Sequence, residues 1–373
     1  MCEEKKFKRI GVLTSGGDAP GMNAAVRAVT RAGILKGVEI VAIYEGYKGL
    51  LKGYRGVSAK KTEIFNNRKV SNIINLGGTI LYSDRCDEFM KKSGMDKAIE
   101  NCKKNEIDGI ITIGGDGTFR GARDLTERGI PCIGIPATID NDITSTDYSI
   151  GFDTAMNTVI QMVDRLRDTC ESHARCNVVE VMGRNAGYIA LQAGIAVGAS
   201  AILTLEVPYD IDEIIKKIIA SKNQGKRNFI VIIAEGVDIE AREKKITLTY
   251  SEDLKKRIQA ATDIETKFAR LAHVVRGGSP SLRDRLLASQ MGYEAVELLL
   301  AGKSNLVVCE QKGDIVSMDI SEALALDAMY KNKLKLDELK KYSTAQVAKM
   351  KTFCDNKHAE FEKLYKIADD ISH

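Results

Sequence analysis

Three times along the chain an apolar run ends in a glycine-rich turn and gives way to helical spacing. Ile10-Gly-Val-Leu13 leads through Ser15-Gly-Gly-Asp-Ala-Pro-Gly21 into Met22 to Leu35. Gly109 to Ile113 leads through Gly114-Gly-Asp-Gly-Thr118 into Phe119 to Glu127. Val178 to Val181 leads through Met182-Gly-Arg-Asn-Ala-Gly187 into a further helix. Strands alternating with helices, with glycine turns behind the strands, predict an α/β fold of mainly parallel, doubly wound sheets. Ligands in such sheets sit beyond the carboxyl ends of the strands, where these turns fall.

A chain of 373 residues has room for two ordinary domains, and the pattern before and after about residue 150 is similar. The expected division is 1–150 and 151–330 around one cleft, with the chain able to cross between them near the C-terminus. Residues 331–373 read as a charged helical extension. A net charge of +4 is too weak to argue for nucleic acid or membrane. Eight cysteines without a CxxC pair, and four histidines, give no zinc spacing. Free thiols in a reducing cytosol fit this usage. The start Met-Cys-Glu-Glu-Lys-Lys has no apolar signal region, and no stretch is long and apolar enough to span a membrane. The expected location is cytoplasmic.

The turn at 15–21 joins a strand to a helix N-terminus, an arrangement that receives phosphates through backbone N–H groups. It is neither a Walker lysine loop nor a dinucleotide fingerprint. Further on, the run Ile130 to Ile135 reads as a buried strand that Pro136 must end. Asp140 and Asp142 follow, two residues apart, and an extended loop would aim both the same way. One could act as a base while the other orients it or helps hold a metal. Asp-Asn-Asp is also ordinary turn chemistry.

Taken together, Thr14-Ser-Gly-Gly-Asp-Ala-Pro-Gly-Met-Asn-Ala-Ala25, Gly114-Gly-Asp-Gly-Thr118, Pro136-Ala-Thr-Ile-Asp-Asn-Asp142, Met182-Gly-Arg184 and Arg276-Gly-Gly-Ser-Pro280 resemble the 6-phosphofructokinase family, in its order, over roughly Lys8 to Asp327. The resemblance implies transfer of a phosphoryl group from ATP to fructose 6-phosphate with Mg²⁺. It makes Asp140 the base on the sugar 1-hydroxyl, Asp116 the metal ligand and Asp142 a helper on the sugar or metal side. It sets Thr138 near the transferring group, Arg184 and Arg85 against its charge, and the Gly17 N–H on the γ-phosphate. Tyr47, Cys86, Gly115, Gly117 and Thr118 complete the implied ATP site. Met182, Gly183, Glu235, His273 and Arg276 join the implied sugar site. Lys267 stands where an arginine usually meets the 6-phosphate, and Arg270 is the alternative. Arg175 would reach a neighbour's substrate, implying a homo-oligomer with shared sites, a homotetramer. Arg27, Arg31, Arg167 and Lys226 match a basic effector cluster, whereas Asn67, Ser200 and Gln224 replace its charged members.

Pyrophosphate-using relatives carry Asp and Lys where this chain has Gly117 and Ala137, so ATP is the expected donor. The alternatives are a pyrophosphate-dependent enzyme, which those two small residues oppose, and a non-catalytic regulatory subunit, which the presence of Asp140 and Asp116 opposes. In the adenine pocket, Cys86 stands in place of an aromatic, and Tyr82 could offer a ring instead.

Overall fold

The computed structural model describes residues 7–53, 63–237 and 250–372. Cys2, the charged start and positions 54–62 lie outside them. In chain order the elements are β1 (Arg9–Ser15), α1 (Met22–Leu35), β2 (Glu39–Ile43), α2 (Gly46–Lys52), β3 (Glu63–Phe65), α3 (Lys92–Lys104), β4 (Gly109–Gly114), α4 (Asp116–Thr126), β5 (Cys132–Pro136) and α5 (Phe152–His173). Then come β6 (Cys176–Val181), α6 (Tyr188–Ala196), β7 (Ala201–Leu203), α7 (Ile211–Asn223), β8 (Phe229–Ala234), α8 (Tyr250–Thr262), β9 (Thr266–Arg270) and α9 (Leu282–Leu300). The chain closes with β10 (Leu306–Gln311), β11 (Asp314–Asp319), α10 (Ile320–Tyr330), α11 (Leu336–Leu339) and α12 (Thr344–Asp370).

The chain divides into two units. The first comprises 1–139, 143–154 and 276–350; the second comprises 140–142, 155–275 and 351–373. The expected 151–330 domain, with its crossing near the C-terminus, is cut short: the chain returns to the first unit at Arg276. The reason is the sheet. β10 pairs with β5 in parallel, so residues far down the chain complete the first sheet. The extension is not a body of its own either, because 331–350 belongs to the first unit and 351–373 to the second.

The first sheet runs β11-β10-β5-β4-β1-β2-β3, parallel except for its two edge strands. Its inner strands are buried on both faces, which is why they read as continuous apolar runs. Phe119, Ile110 and Leu13 are fully buried in its core, and each such side chain contributes roughly 1.5–3 kcal/mol. The second sheet runs β7-β8-β6-β9, all parallel. Its core gathers Val178, Leu203, Val231 and Ile233.

Four local features bear on the site. Residues 46–52 form α2: its ends carry left-handed Glu45 and Gly53, and its buried face is Tyr47, Leu50 and Leu51. The helix expected from Phe119 begins at Asp116, since a carboxylate favours a helix N-terminus even between two glycines. The strand β7 is short and ends at Leu203. His273 stands exposed on a 3-10 turn, Ala272–Arg276, that opens with a left-handed Ala272 (φ 45°). Among the described residues every cysteine is a free thiol. No described helix is long and apolar enough to cross a membrane.

Candidate functional site

In the first unit three glycine-bearing loops meet at the carboxyl ends of β1 and β4. The loop after β1 turns through Gly16 (φ 88°) into α1. Asn23, on the first turn of α1, donates to the carbonyls of Leu76 and Gly77 and accepts from the Ile80 N–H at 2.7 Å. Thr14 pairs with Thr79 at 2.8 Å, and Ser83 donates to the Gly16 carbonyl. The third loop, 276–281, closes on the second through Ser279, which donates to the Asn75 carbonyl at 2.8 Å. A side chain at Gly77 would strike the Gly278 carbonyl at 2.4 Å, so only glycine permits this approach.

Arg276 is a cation of this junction. Its Nη1 donates to the Asp18 carbonyl at 3.3 Å and lies 3.0 Å from where a Cβ on Gly17 would stand. The resemblance places Arg276 with the sugar; within its own unit its guanidinium also meets the loop after β1.

Beside that loop, Gly114 ends β4 and Thr118 donates to the Ser15 carbonyl at 3.0 Å. Asp116 accepts from the Gly117 N–H at 2.7 Å and from Arg120 at 3.2 Å, with 38% of its side chain exposed. Burial works against its charge, but Arg120 and Lys331 outweigh that and hold its carboxyl below the usual range. Asp116 is thus an ionised, reachable carboxylate at a helix N-terminus. A Cβ at Gly115 or at Gly117 would meet nothing within 4 Å, so both flanks are open. Ala137 is buried at the end of β5, its N–H on the Gly114 carbonyl.

Tyr47 takes a different place from the one expected. It is 5% exposed, its ring stacks on Phe89 at 4.1 Å, and its hydroxyl donates to the Thr118 carbonyl. It supports the first turn of α4 from behind. Arg85 is exposed, with its N–H on Asp84, and Cys86 is half-buried against the core beneath. Tyr82 is half exposed, in a left-handed conformation (φ 56°) beside Tyr44.

The stretch carrying the two carboxylates is not extended. Asn141 between them is left-handed (φ 50°), so the expected alignment of Asp140 and Asp142 does not hold. Their surroundings differ: Asp140 is 7% exposed and Asp142 half-buried. These three residues group with the second unit, whereas Thr138, its carbonyl held by Ser149 at 2.6 Å, belongs to the first.

In the second unit, Met182, Gly183, Arg184 and Glu235 share the carboxyl ends of β6 and β8. Glu235 accepts from the Arg184 N–H at 2.7 Å and from the Gly183 N–H at 3.3 Å. Gly183 (φ 144°) and Arg184 (φ 54°) both have positive φ, and Arg184 is exposed. Glu206, which the sequence reading missed, accepts from the Gly187 N–H at 2.7 Å and ties down the far end of the same turn. Nothing in its spacing could have disclosed it, because the bond closes across 19 residues.

Arg175 and Lys267 lie elsewhere. Arg175 precedes β6 and Lys267 is near the start of β9, at the amino ends of the strands. Glu265 pairs with both, at 2.6 Å from Lys267, and the two cations pull its carboxyl down to about 2. Arg270 is held by a fork on the buried Glu180, at 2.7 and 3.1 Å, at the other end of β9. Of the basic cluster, Arg27 and Arg31 share a face of α1 in the first unit. Arg167 and Lys226 are together in the second; Arg167 bonds Asn228 and the Val197 carbonyl. Burial and Arg167 lower the Lys226 pKa.

Comparison with known proteins gives consistent results. A family model described as phosphofructokinase matches residues 9–299. The chain is 50% identical over 319 residues to the ATP-dependent 6-phosphofructokinase of Bacillus cytotoxicus, an alignment covering 86% of this chain and 94% of that one. It is 51% identical over 318 residues to the enzyme of the same name from Bacillus pumilus, covering 85% and 94%. Among solved structures, Pichia pastoris phosphofructokinase in the T-state matches with a TM-score of 0.83 at 34% identity. That match covers 99% of this chain but only 39% of the Pichia chain. A pyrophosphate-dependent phosphofructokinase from Marinobacter aquaeolei matches at 23% identity and a TM-score of 0.70, covering 85% of this chain and 84% of that one, which speaks for the fold alone.

Proposed function

Because the chain belongs to the phosphofructokinase family, we infer that it transfers the γ-phosphoryl group of ATP to the 1-hydroxyl of fructose 6-phosphate, giving fructose 1,6-bisphosphate and ADP. The sugar oxygen forms a bond to the γ-phosphorus while the bond to the ADP oxygen breaks. Such a transfer asks the protein for position and charge more than for covalent chemistry. The first unit supplies the nucleotide side and the second the sugar side, so 1–139 carries the ATP residues and 155–275 most of the sugar residues.

Asp140 takes the proton of the attacking hydroxyl, and Asp142 assists on the sugar or metal side. Thr138 and the Gly17 N–H meet the transferring group. Arg184 and Arg85 oppose its charge with guanidinium forks. Glu235, Met182, Gly183, His273 and Arg276 hold the sugar phosphate. Gly115, Gly117, Thr118 and Cys86 line the nucleotide. Asp116 fits Mg²⁺: it is ionised and reachable, and no group of three or more metal-binding side chains accompanies it among the described residues. One carboxylate with the substrate's own phosphates is the usual protein contribution to Mg²⁺. When bound, the ion neutralises charge shared between the phosphates.

The observation that carries the choice of donor is the open space at Gly117, where an added Cβ meets nothing within 4 Å. A nucleotide's α-phosphate has room there.

Arg175 and Lys267 serve the 6-phosphate of a neighbouring copy. β6 separates Arg175 from Arg184 by six strand residues, roughly 20 Å, which one hexose phosphate does not bridge. The assembly this reading carries is a homotetramer in the cytoplasm, with Arg27, Arg31, Arg167 and Lys226 as an anionic effector site. The direct test supplies the purified chain with fructose 6-phosphate and Mg-ATP. Fructose 1,6-bisphosphate should form, and should cease to form when EDTA removes the metal. No bisphosphate from a folded chain would refute the reading.

A further inference from the structure

The turn that carries Arg184 is strained. Gly183 and Arg184 both have positive φ, and a β-carbon-bearing residue resists that conformation. Such backbones persist only where their surroundings over-determine them. Three groups do so. Glu235 holds the N–H groups of Gly183 and Arg184. Glu206 holds the N–H of Gly187 at the start of α6, where a carboxylate is favoured. The third is Tyr188, the first residue of α6 and next in the chain to Gly187, and what fixes Tyr188 comes from the far end of the sequence.

Phe361 of α12 is 2% exposed and meets the Tyr188 ring edge-to-face at 5.2 Å. One turn on, the Tyr365 hydroxyl donates to the Ile202 carbonyl of edge strand β7 at 2.9 Å. One turn further, Asp369 pairs with Lys217 of α7, and Ala368 is buried beside it. Successive turns of α12 thus grip α6, β7 and α7 in turn, all within the second unit. The family match ends at residue 299, so this helix lies outside the part of the chain that defines the family.

We propose that the C-terminal helix α12 is a brace for the Arg184 turn, with Phe361 as a positioning residue that acts through Tyr188 on the binding of fructose 6-phosphate. The proposal rests on the reading that this turn holds the sugar phosphate through Met182, Gly183 and Glu235 and carries Arg184 to the transferring phosphoryl group. Removing the brace lets Tyr188 shift, and the strained turn relaxes toward backbone conformations that aim Arg184 elsewhere. The effect falls on the sugar, because the nucleotide loops belong to the first unit.

The test compares full-length Phe361→Ala and Phe361→Leu with wild type, together with Arg184→Ala. In Phe361→Ala the KM for fructose 6-phosphate should rise about fivefold or more while the KM for Mg-ATP stays within twofold. Hydrogen exchange at residues 183–187 should quicken. Phe361→Leu refills most of the volume and should restore most of both readouts. If Phe361→Ala does not fold, Phe361→Leu carries the test through a smaller change in the same two readouts. Unchanged sugar KM with unchanged exchange at 183–187, whatever the melting temperature, overturns the brace. Quickened exchange with a neutral Arg184→Ala would instead overturn the reading of Arg184 on which the brace depends.

Discussion

Asp140 and Asp142 differ in setting because one residue between them, Asn141, turns the backbone left-handed. The more enclosed carboxylate, Asp140, is the proposed base. Asp140→Asn keeps the shape and removes the acceptor. Turnover should fall by on the order of 10²–10⁴, with the affinity for fructose 6-phosphate changed far less; steady-state kinetics on the purified variant checks both. A second buried acid is Asp284. It accepts from the Gly151 N–H and from both the N–H and hydroxyl of Thr154, tying the start of α9 to the start of α5. Burial nonetheless raises its pKa from 3.8 to about 6. Its folded-state pKa lies above the unfolded one, so the native chain holds a proton that the unfolded chain has lost. The Asp284 contribution to stability is present below about pH 4 and declines as pH rises toward 6. The decline amounts to on the order of 3 kcal/mol. Asp284→Asn should remove this slope, read as the difference in denaturant unfolding energy between wild type and variant across pH 4 to 7. A difference that does not change with pH would contradict the assignment.

Among the elements, strand direction sorts the site residues. Arg184 and Glu235 follow the carboxyl ends of β6 and β8, while Arg175 and Lys267 stand at the amino ends of β6 and β9. If the second pair serves a neighbouring copy, two inactive variants should repair each other. Mixing Arg175→Ala with Asp140→Asn subunits under reassembly conditions should return part of the activity, and verified mixed oligomers without recovery would argue for unshared sites. The strands and their glycine turns were legible in the sequence because apolar runs and glycines act locally. α1 and β4 lie where periodicity put them, within a residue. What was not legible needed contacts between distant parts of the chain. α2 hides between left-handed residues and shows only three buried apolar side chains. Glu206 reaches Gly187 only once α6 and β7 are side by side. Tyr47 belongs to the implied ATP site by motif, yet the fold turns it inward onto Phe89 and Thr118.

For the molecule as a whole, the two-sheet architecture was expected, but the return of the chain at Arg276 was not placed by any local signal. It follows from β10 completing the first sheet beside β5, and it brings Arg276 to the loop of Gly17. The motifs that implied the reaction therefore come from segments scattered over the chain, and the family membership of residues 9–299 accounts for their order. The activity is the phosphorylation of fructose 6-phosphate from ATP, and Gly117, next to Asp116, is the small residue that bears on the choice of donor. The decisive quantity is kcat/KM of the wild-type chain for Mg-ATP and for pyrophosphate, each with saturating fructose 6-phosphate. Efficient turnover with Mg-ATP and little with pyrophosphate is expected; a preference for pyrophosphate would overturn the choice of donor and the role given to the open space at Gly117.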